Sequence, residues 1–187
     1  MKNNNPPWLE HPSIWKTKSA WCSWLRGGIR RALWNRSPIK LEFIKEKRIK
    51  IPNPNPRGKV AEVWGAQCAL CGKYFPLNMM EVDHKTGNHS LNDLDDIQSF
   101  IENIVCISKE DLQFVDKTCH RIKSHADKHN MSFEDSRIEK EVIEIIKLKN
   151  DLTWLKDRGI VPAKNQKLRR QQILEEMRNE KEVSTRQ

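Results

Sequence analysis

Apolar and polar positions along this chain change their spacing several times, and each change marks an element. From Lys18 to Trp34 the apolar residues recur at helical intervals. Trp21, Leu25, Ile29, Ala32 and Leu33 share one side, while Arg26 and Arg30 fall elsewhere. That stripe predicts a helix, which Gly27-Gly28 bends or splits in two. Ahead of it, residues 1–13 are rich in Asn and Pro and read as a disordered or extended lead-in. After it, Pro38 opens a basic stretch to Lys50, followed by Ile51-Pro-Asn-Pro-Asn-Pro-Arg-Gly58. The alternating prolines fit neither a helix nor a central strand, so this run reads as a semi-rigid linker.

Downstream the pattern alternates between short apolar runs and helical stripes. Met79–His84 predicts a strand, Leu94–Asn103 a short helix with an acidic face, Leu112–Val115 a second strand and Lys117–His129 a helix. Ser132-x-x-Asp135 is a capping signal for a further helix, in which Ile138, Val142, Ile145 and Ile146 recur at helical spacing. Asp157-Arg-Gly159 and Pro162 close that hairpin, and Ala163 to Glu182 predicts a charged terminal helix. The fold class is α+β and mostly helical. Three parts are expected: a basic, Trp-rich arm with its linker over 1–58, a central module over 59–130 and a helical extension over 131–187.

Charge sharpens this division. Residues 1–60 hold 14 of the 34 lysines and arginines but only three acids, Glu10, Glu42 and Glu46, of 25. The excess positive charge of +9 therefore lies wholly ahead of residue 61. Such a patch suits phosphate backbones and predicts binding that weakens with salt. No signal-peptide pattern opens the chain, and no apolar run approaches the roughly 20 residues of a membrane span. A cytosolic protein without a membrane partner is expected. There clustered thiols are more often metal ligands than disulfides.

Five cysteines are present, and two of them form Cys68-x-x-Cys71-Gly72. This turn presents two thiolates to one zinc, although a redox pair is the rival reading. Cys119 is the third candidate ligand. The fourth is Asp116, at x-x spacing before Cys119, or Cys106 further upstream. A structural zinc would supply on the order of 10 kcal/mol to a centre this small. Asp83-His84 ends the predicted strand of Glu81-Val82-Asp83-His84. There Asp83 suits a hard divalent cation, and neutral His84 can take a proton from water. His120, beside a zinc thiolate at a helix start, would be a second ligand of that cation. Lys123, one turn on, either meets a phosphate or is a solvated helix lysine.

Residues 68–124 resemble the HNH, or ββα-metal, endonucleases. The likeness is strongest to phage-type members, in which Cys-x-x-Cys, a Val-Asp-His strand and a Cys-His-x-x-Lys segment follow in this order. It covers about a third of the chain. What the resemblance implies is a zinc-stapled ββα-metal core, with Asp83 as metal-binding acid, His84 as general base and His120 as a further metal ligand. Mg²⁺ or Mn²⁺ would be the catalytic ion and Zn²⁺ the structural one. It further implies hydrolysis of double-stranded DNA, by nicking or cutting, to 5′-phosphate and 3′-hydroxyl ends. The role would be homing or genome processing in a bacterial host's cytoplasm, with phage packaging or replication proteins as candidate partners. Two positions depart from the family pattern. Asp111 stands where an Asn braces the loop holding the base, and Asp116 stands where a fourth Cys is usual.

Other residues carry two readings. Arg26, Arg30 and Arg31 among Trp8, Trp15, Trp21, Trp24 and Trp34 suggest a nucleic-acid surface, but a small tryptophan core with only the arginines on phosphate is favoured. His125 and His129 fit a solvated helix face better than a metal site. His89 reads as a loop residue, and Cys22 as a small buried hydrophobe. Arg169-Arg170 either contact DNA backbone or are ordinary helix charges. A zinc-stapled DNA-binding protein without catalysis, such as a regulator or packaging accessory, is the alternative to the nuclease. Whether the chain acts as monomer or homodimer stays open.

Overall fold

The computed structural model describes residues 5–55, 57, 59–86 and 90–185. The chain is α+β and divides into two compact units, Met1–Cys119 and His120–Gln187.

In the first unit the lead-in holds a short helix, α1 (Pro7–Glu10), started by the fixed φ of its proline. Helix α2 (Lys18–Ala32) begins where the Thr17 side chain accepts a bond from the Ala20 amide. It runs through Gly27 and Gly28 without a break. Trp21 and Cys22 are buried with Leu91, Phe100 and Ile104, and Trp8, Trp15, Leu25, Ile29 and Trp34 pack around them. The tryptophans of the arm are thus largely core residues. The basic stretch after Pro38 is a helix, α3 (Pro38–Lys47), capped by the Ser37 hydroxyl. Its pattern conceals this, because Phe43 alone is buried.

Strands β1 (Ile49–Pro52), β2 (Glu62–Gln67) and β3 (Tyr74–Pro76) form an antiparallel sheet in that order. The run expected as a linker therefore starts inside a strand and continues as the connection of a hairpin. Pro52 is tolerated because β1 is an edge strand. Asn53 closes the connection: its amide donates to Ala61 O (2.8 Å) and its side chain to Val60 O (2.9 Å). At Gly65 a side chain would come within 2.6 Å of the Phe75 carbonyl oxygen, so only glycine fits there.

A second antiparallel pair joins β4 (Met80–His84) to β5 (Leu112–Asp116), with Met80 opposite Asp116 and His84 opposite Leu112. The connection between them contains α4 (Ile97–Val105), whose Phe100 and Ile104 complete the tryptophan core. Helix α5 (Lys117–His129) follows β5 without a loop.

The second unit is helical. Ile122 and Ala126 are buried on its part of α5. Helices α6 (Phe133–Lys147), α7 (Asp151–Lys156) and α8 (Gln166–Thr185) enclose Ile138, Val142, Leu155 and Ile173. Ser132 caps α6 as its sequence predicts, accepting from the Asp135 amide at 3.0 Å. Among the described residues no helix is long and apolar enough to cross a membrane.

Candidate metal centre

The Cys-x-x-Cys turn leaves β2 and folds back on itself. The Cys68 amide donates to Lys73 O (2.8 Å) and the Gly72 amide to Cys68 O (2.9 Å). Gly72 adopts φ of +70°, which glycine alone takes at no steric cost. The Ala69 amide donates to Phe114 O at 2.8 Å, which pins the turn against β5. Cys119 is reached from the other side, on the first turn of α5.

Between them stands Asp116, the last residue of β5. Its Oδ1 accepts from the amides of Thr118 (2.9 Å) and Cys119 (3.1 Å), so it is the N-cap of α5. Its Oδ2 lies 3.6 Å from the Cys71 thiol, and its own amide donates to Cys68 Sγ (3.4 Å). One donor atom from each of Cys68, Cys71, Asp116 and Cys119 lies within 4.8 Å of every other. This four-residue set can hold a metal ion, and three thiolates with one carboxylate suit zinc. Of the two candidates for a fourth ligand, one lies in this set. Asp116 is in the set, whereas Cys106 is exposed at the end of α4.

Electrostatics favours a cation here. Burial alone would raise the Asp116 carboxyl, yet bonds from the Cys119 thiol and amide, the Cys68 thiol and the Thr118 amide hold it down to about 2. Burial raises Cys68 against the backbone amides that favour its thiolate, and burial with the neighbouring Asp116 and Cys68 raises Cys119. Several negative ligands in so dry a place are costly unless a dication shares them.

Asp83 and His84 occupy the far end of the same hairpin, roughly 13 Å along β4 from Met80 at about 3.3 Å per residue. Both are half-buried. The Gln113 side-chain amide, directly across the ladder, lies 3.4 Å from Asp83 Oδ2. The His84 ring stacks on Trp34, with centroids 4.6 Å apart and planes 28° from parallel. Lys40 Nζ lies 4.6 Å from the Trp34 centroid. Burial lowers the Lys40 pKa, against the opposing charge of Glu81. Neither Trp34 nor Lys40 was expected from the sequence to sit beside His84.

Asp111 braces the loop after His84 with its backbone. Its carbonyl accepts from the Lys85 amide (2.8 Å), and its carboxylate turns to the Ser108 amide (2.7 Å) and hydroxyl (2.8 Å). The Ser108 amide and then its hydroxyl lower the Asp111 pKa, and His84 and Lys85 add a smaller pull.

His120 opens the second unit, half-buried on α5, and Lys123 pairs with Asp127 at 3.4 Å. Apart from the Cys68 set, no group of three or more His, Cys, Asp or Glu gathers its ligand atoms among the described residues. Arg26 donates to Leu91 O (2.8 Å), and Arg30 lies over the Phe100 ring at 5.7 Å, its pKa lowered by burial and then by Arg26. Arg31 is exposed and turned back on Gly27 O at 3.3 Å. His125 faces Ser136 Oγ at 3.2 Å and the His129 ring at 4.3 Å. Arg169 and Arg170 pair with Asp151 and Glu139. His89 lies outside the described residues.

No family profile, no curated protein and no solved structure matches this chain.

Proposed function

We propose that the protein is a zinc-stapled, metal-dependent endonuclease of the HNH type acting on double-stranded DNA. The observation that carries this reading is the β4–β5 hairpin. It bears the Asp83-His84 pair at one end, and at the other Asp116, which joins Cys68, Cys71 and Cys119 in the set that can hold a metal. In this reading the thiolate set is structural, and it fixes the hairpin and the start of α5.

Asp83, with a hard oxygen at a strand end, would hold Mg²⁺ or Mn²⁺. The chemistry supplied there, with the ion bound, would be polarisation of the phosphoryl group and stabilisation of the leaving oxygen. His84 takes the proton of the attacking water through its imidazole, whose ring plane is set by Trp34. The resemblance adds His120 as a further ligand, a role that its own substitution tests.

Supercoiled plasmid with Mg²⁺ is the direct assay. The zinc-loaded protein is expected to relax or linearise it, and His84→Ala to lose about 10²- to 10⁴-fold of that rate. Equal cleavage by both proteins refutes the assignment. A second reading is a zinc-stapled DNA-binding protein without catalysis. It is favoured by Asp111 and Asp116, which stand where the family pattern has Asn and Cys. Duplex binding with no cleavage under either Mg²⁺ or Mn²⁺ selects it.

A further inference from the structure

The sequence places nucleic-acid contact on Arg26, Arg30 and Arg31, but Arg26 and Arg30 are engaged within the fold. A different cationic group stands on the β1–β2 face. Lys50 pairs with Trp64 across the ladder, so their side chains project from the same face. Arg48 is extended, with φ of −70° and ψ of 144°, and precedes Lys50 by two positions, which brings it to that face as well. Both cations converge on one ring: the Arg48 guanidinium lies 4.2 Å from the Trp64 centroid and Lys50 Nζ 4.5 Å. Trp64 is 42% exposed although it is a large apolar ring.

Two like charges held on one ring repel each other. An exposed site gains only about 0.5–1 kcal/mol from each cation–π contact. Among the described residues neither cation has a carboxylate within ion-pair distance. The acids of the neighbouring α3, Glu42 and Glu46, are instead held by Lys109 at 3.8 Å and 2.6 Å. Glu62 shares the face through its pairing with Pro52 and makes no ion pair among the described residues. Lys45 and Lys47 extend the positive charge along the last turn of α3. An arrangement of this kind complements an external polyanion.

We infer that Arg48, Lys50 and Trp64 form a phosphate clamp that holds the backbone of double-stranded DNA against the β1–β2 face. The inference rests on the nucleic-acid reading above and names its contact surface. Arg48 and Lys50 meet phosphate oxygens, and Trp64 keeps both side chains raised and oriented. Contacts of this type position a duplex without reading its sequence.

The test is binding of a labelled duplex to zinc-loaded protein at several salt concentrations, without added Mg²⁺. Arg48→Gln with Lys50→Gln is expected to reduce the slope of log K against log salt by about 2 units in magnitude. On the unaltered protein, duplex should protect Lys50 from acylation at low salt and release it at high salt, which requires no variant to fold. A wild-type slope in the double variant, or a Lys50 equally reactive with and without duplex, overturns the clamp. Plasmid cleavage by the wild type is scored separately. An active nuclease with an unchanged slope in the variant loses this surface and keeps its function, whereas a wild type that ignores DNA loses both.

Discussion

Met1–Cys119 and His120–Gln187 reach stability by different routes. In the second unit one apolar group, Ile138, Val142, Leu155 and Ile173, is shared by α6, α7 and α8, and ion pairs surround it. The first unit has an apolar group of its own, Trp21, Cys22, Leu91, Phe100 and Ile104, but it stands on α2, α4 and the β4–β5 connection rather than on the sheets. Its other buried apolar side chains, Phe43, Ile51, Ala66, Met80, Val82, Leu112, Phe114 and Val115, are spread over α3 and two sheets of short strands. Sheets so small are marginal by themselves. The first unit also carries the candidate residues Asp83 and His84, half-buried at the end of β4. A metal ion, which Cys68, Cys71, Asp116 and Cys119 can hold, would tie the end of β2, the end of β5 and the start of α5 together.

Metal removal should break this contrast with the largest effect. Chelation, or Cys119→Ser, is expected to cost the first unit on the order of 10 kcal/mol and to unfold it. Amide exchange in α6–α8 should stay slow. The readout is hydrogen exchange with mass spectrometry, scored separately for the two units. Uniform loss of protection in both would show that the second unit does not stand by its own core, and unchanged protection in the first that the thiolate set is not its staple.

An intermediate effect sharpens the second unit's side of the comparison. Arg169 Nε lies 2.6 Å from Asp151 Oδ2, and its Nη1 donates to Ala163 O and Lys164 O at 3.1 and 3.2 Å. Asp151 is only 4% exposed, so Arg169→Met would leave a buried carboxylate unpaired, at a cost of about 3 kcal/mol. The sign with pH follows from the direction of the shift. The Arg169 bond lowers the Asp151 pKa in the folded state. Its contribution is therefore fully present above the ordinary carboxylate range, near 4, and is lost as pH falls through the lower folded value. In Arg169→Met the same carboxyl should favour its neutral form, so stability should instead fall as pH rises through that region. Urea unfolding at pH 3 to 7 separates the two slopes.

The elements legible in the sequence are those whose signal is local. Ser132-x-x-Asp135 marks its helix start, the 117–129 stripe gives α5 with its observed bounds, and the β4 and β5 runs are within a residue of theirs. Where packing between distant segments decides, the pattern is silent. β1 ends on its own proline, and β3 spans only Tyr74–Pro76. α3 has no apolar stripe to reveal it. For the candidate metal centre, the choice between Asp116 and Cys106 stayed open although a signal existed. Asp116 directly precedes a predicted helix, the position of an N-cap, and one carboxylate can cap with Oδ1 and face the thiols with Oδ2. Trp34 against His84 had no such signal, since fifty positions separate them and only the tertiary fold brings them together.

That ring contact supplies the smallest effect, and it connects the structural tryptophans to the proposed chemistry. Trp34 borders the α2 core and also stacks on His84, so the arm that stabilises the first unit also fixes the orientation of the candidate base. A stacked aromatic pair contributes about 0.5–1.5 kcal/mol beyond its buried area. If that energy acts on the orientation of His84, Trp34→Leu should lower kcat for plasmid cleavage about 3- to 10-fold. KM should hold, because the substrate need not touch Trp34. Trp34→Phe keeps an aromatic face and should recover most of the rate, whereas a purely steric role in the core would be met as well by Leu as by Phe. Equal kcat in the two variants would mean that the stack only fills space.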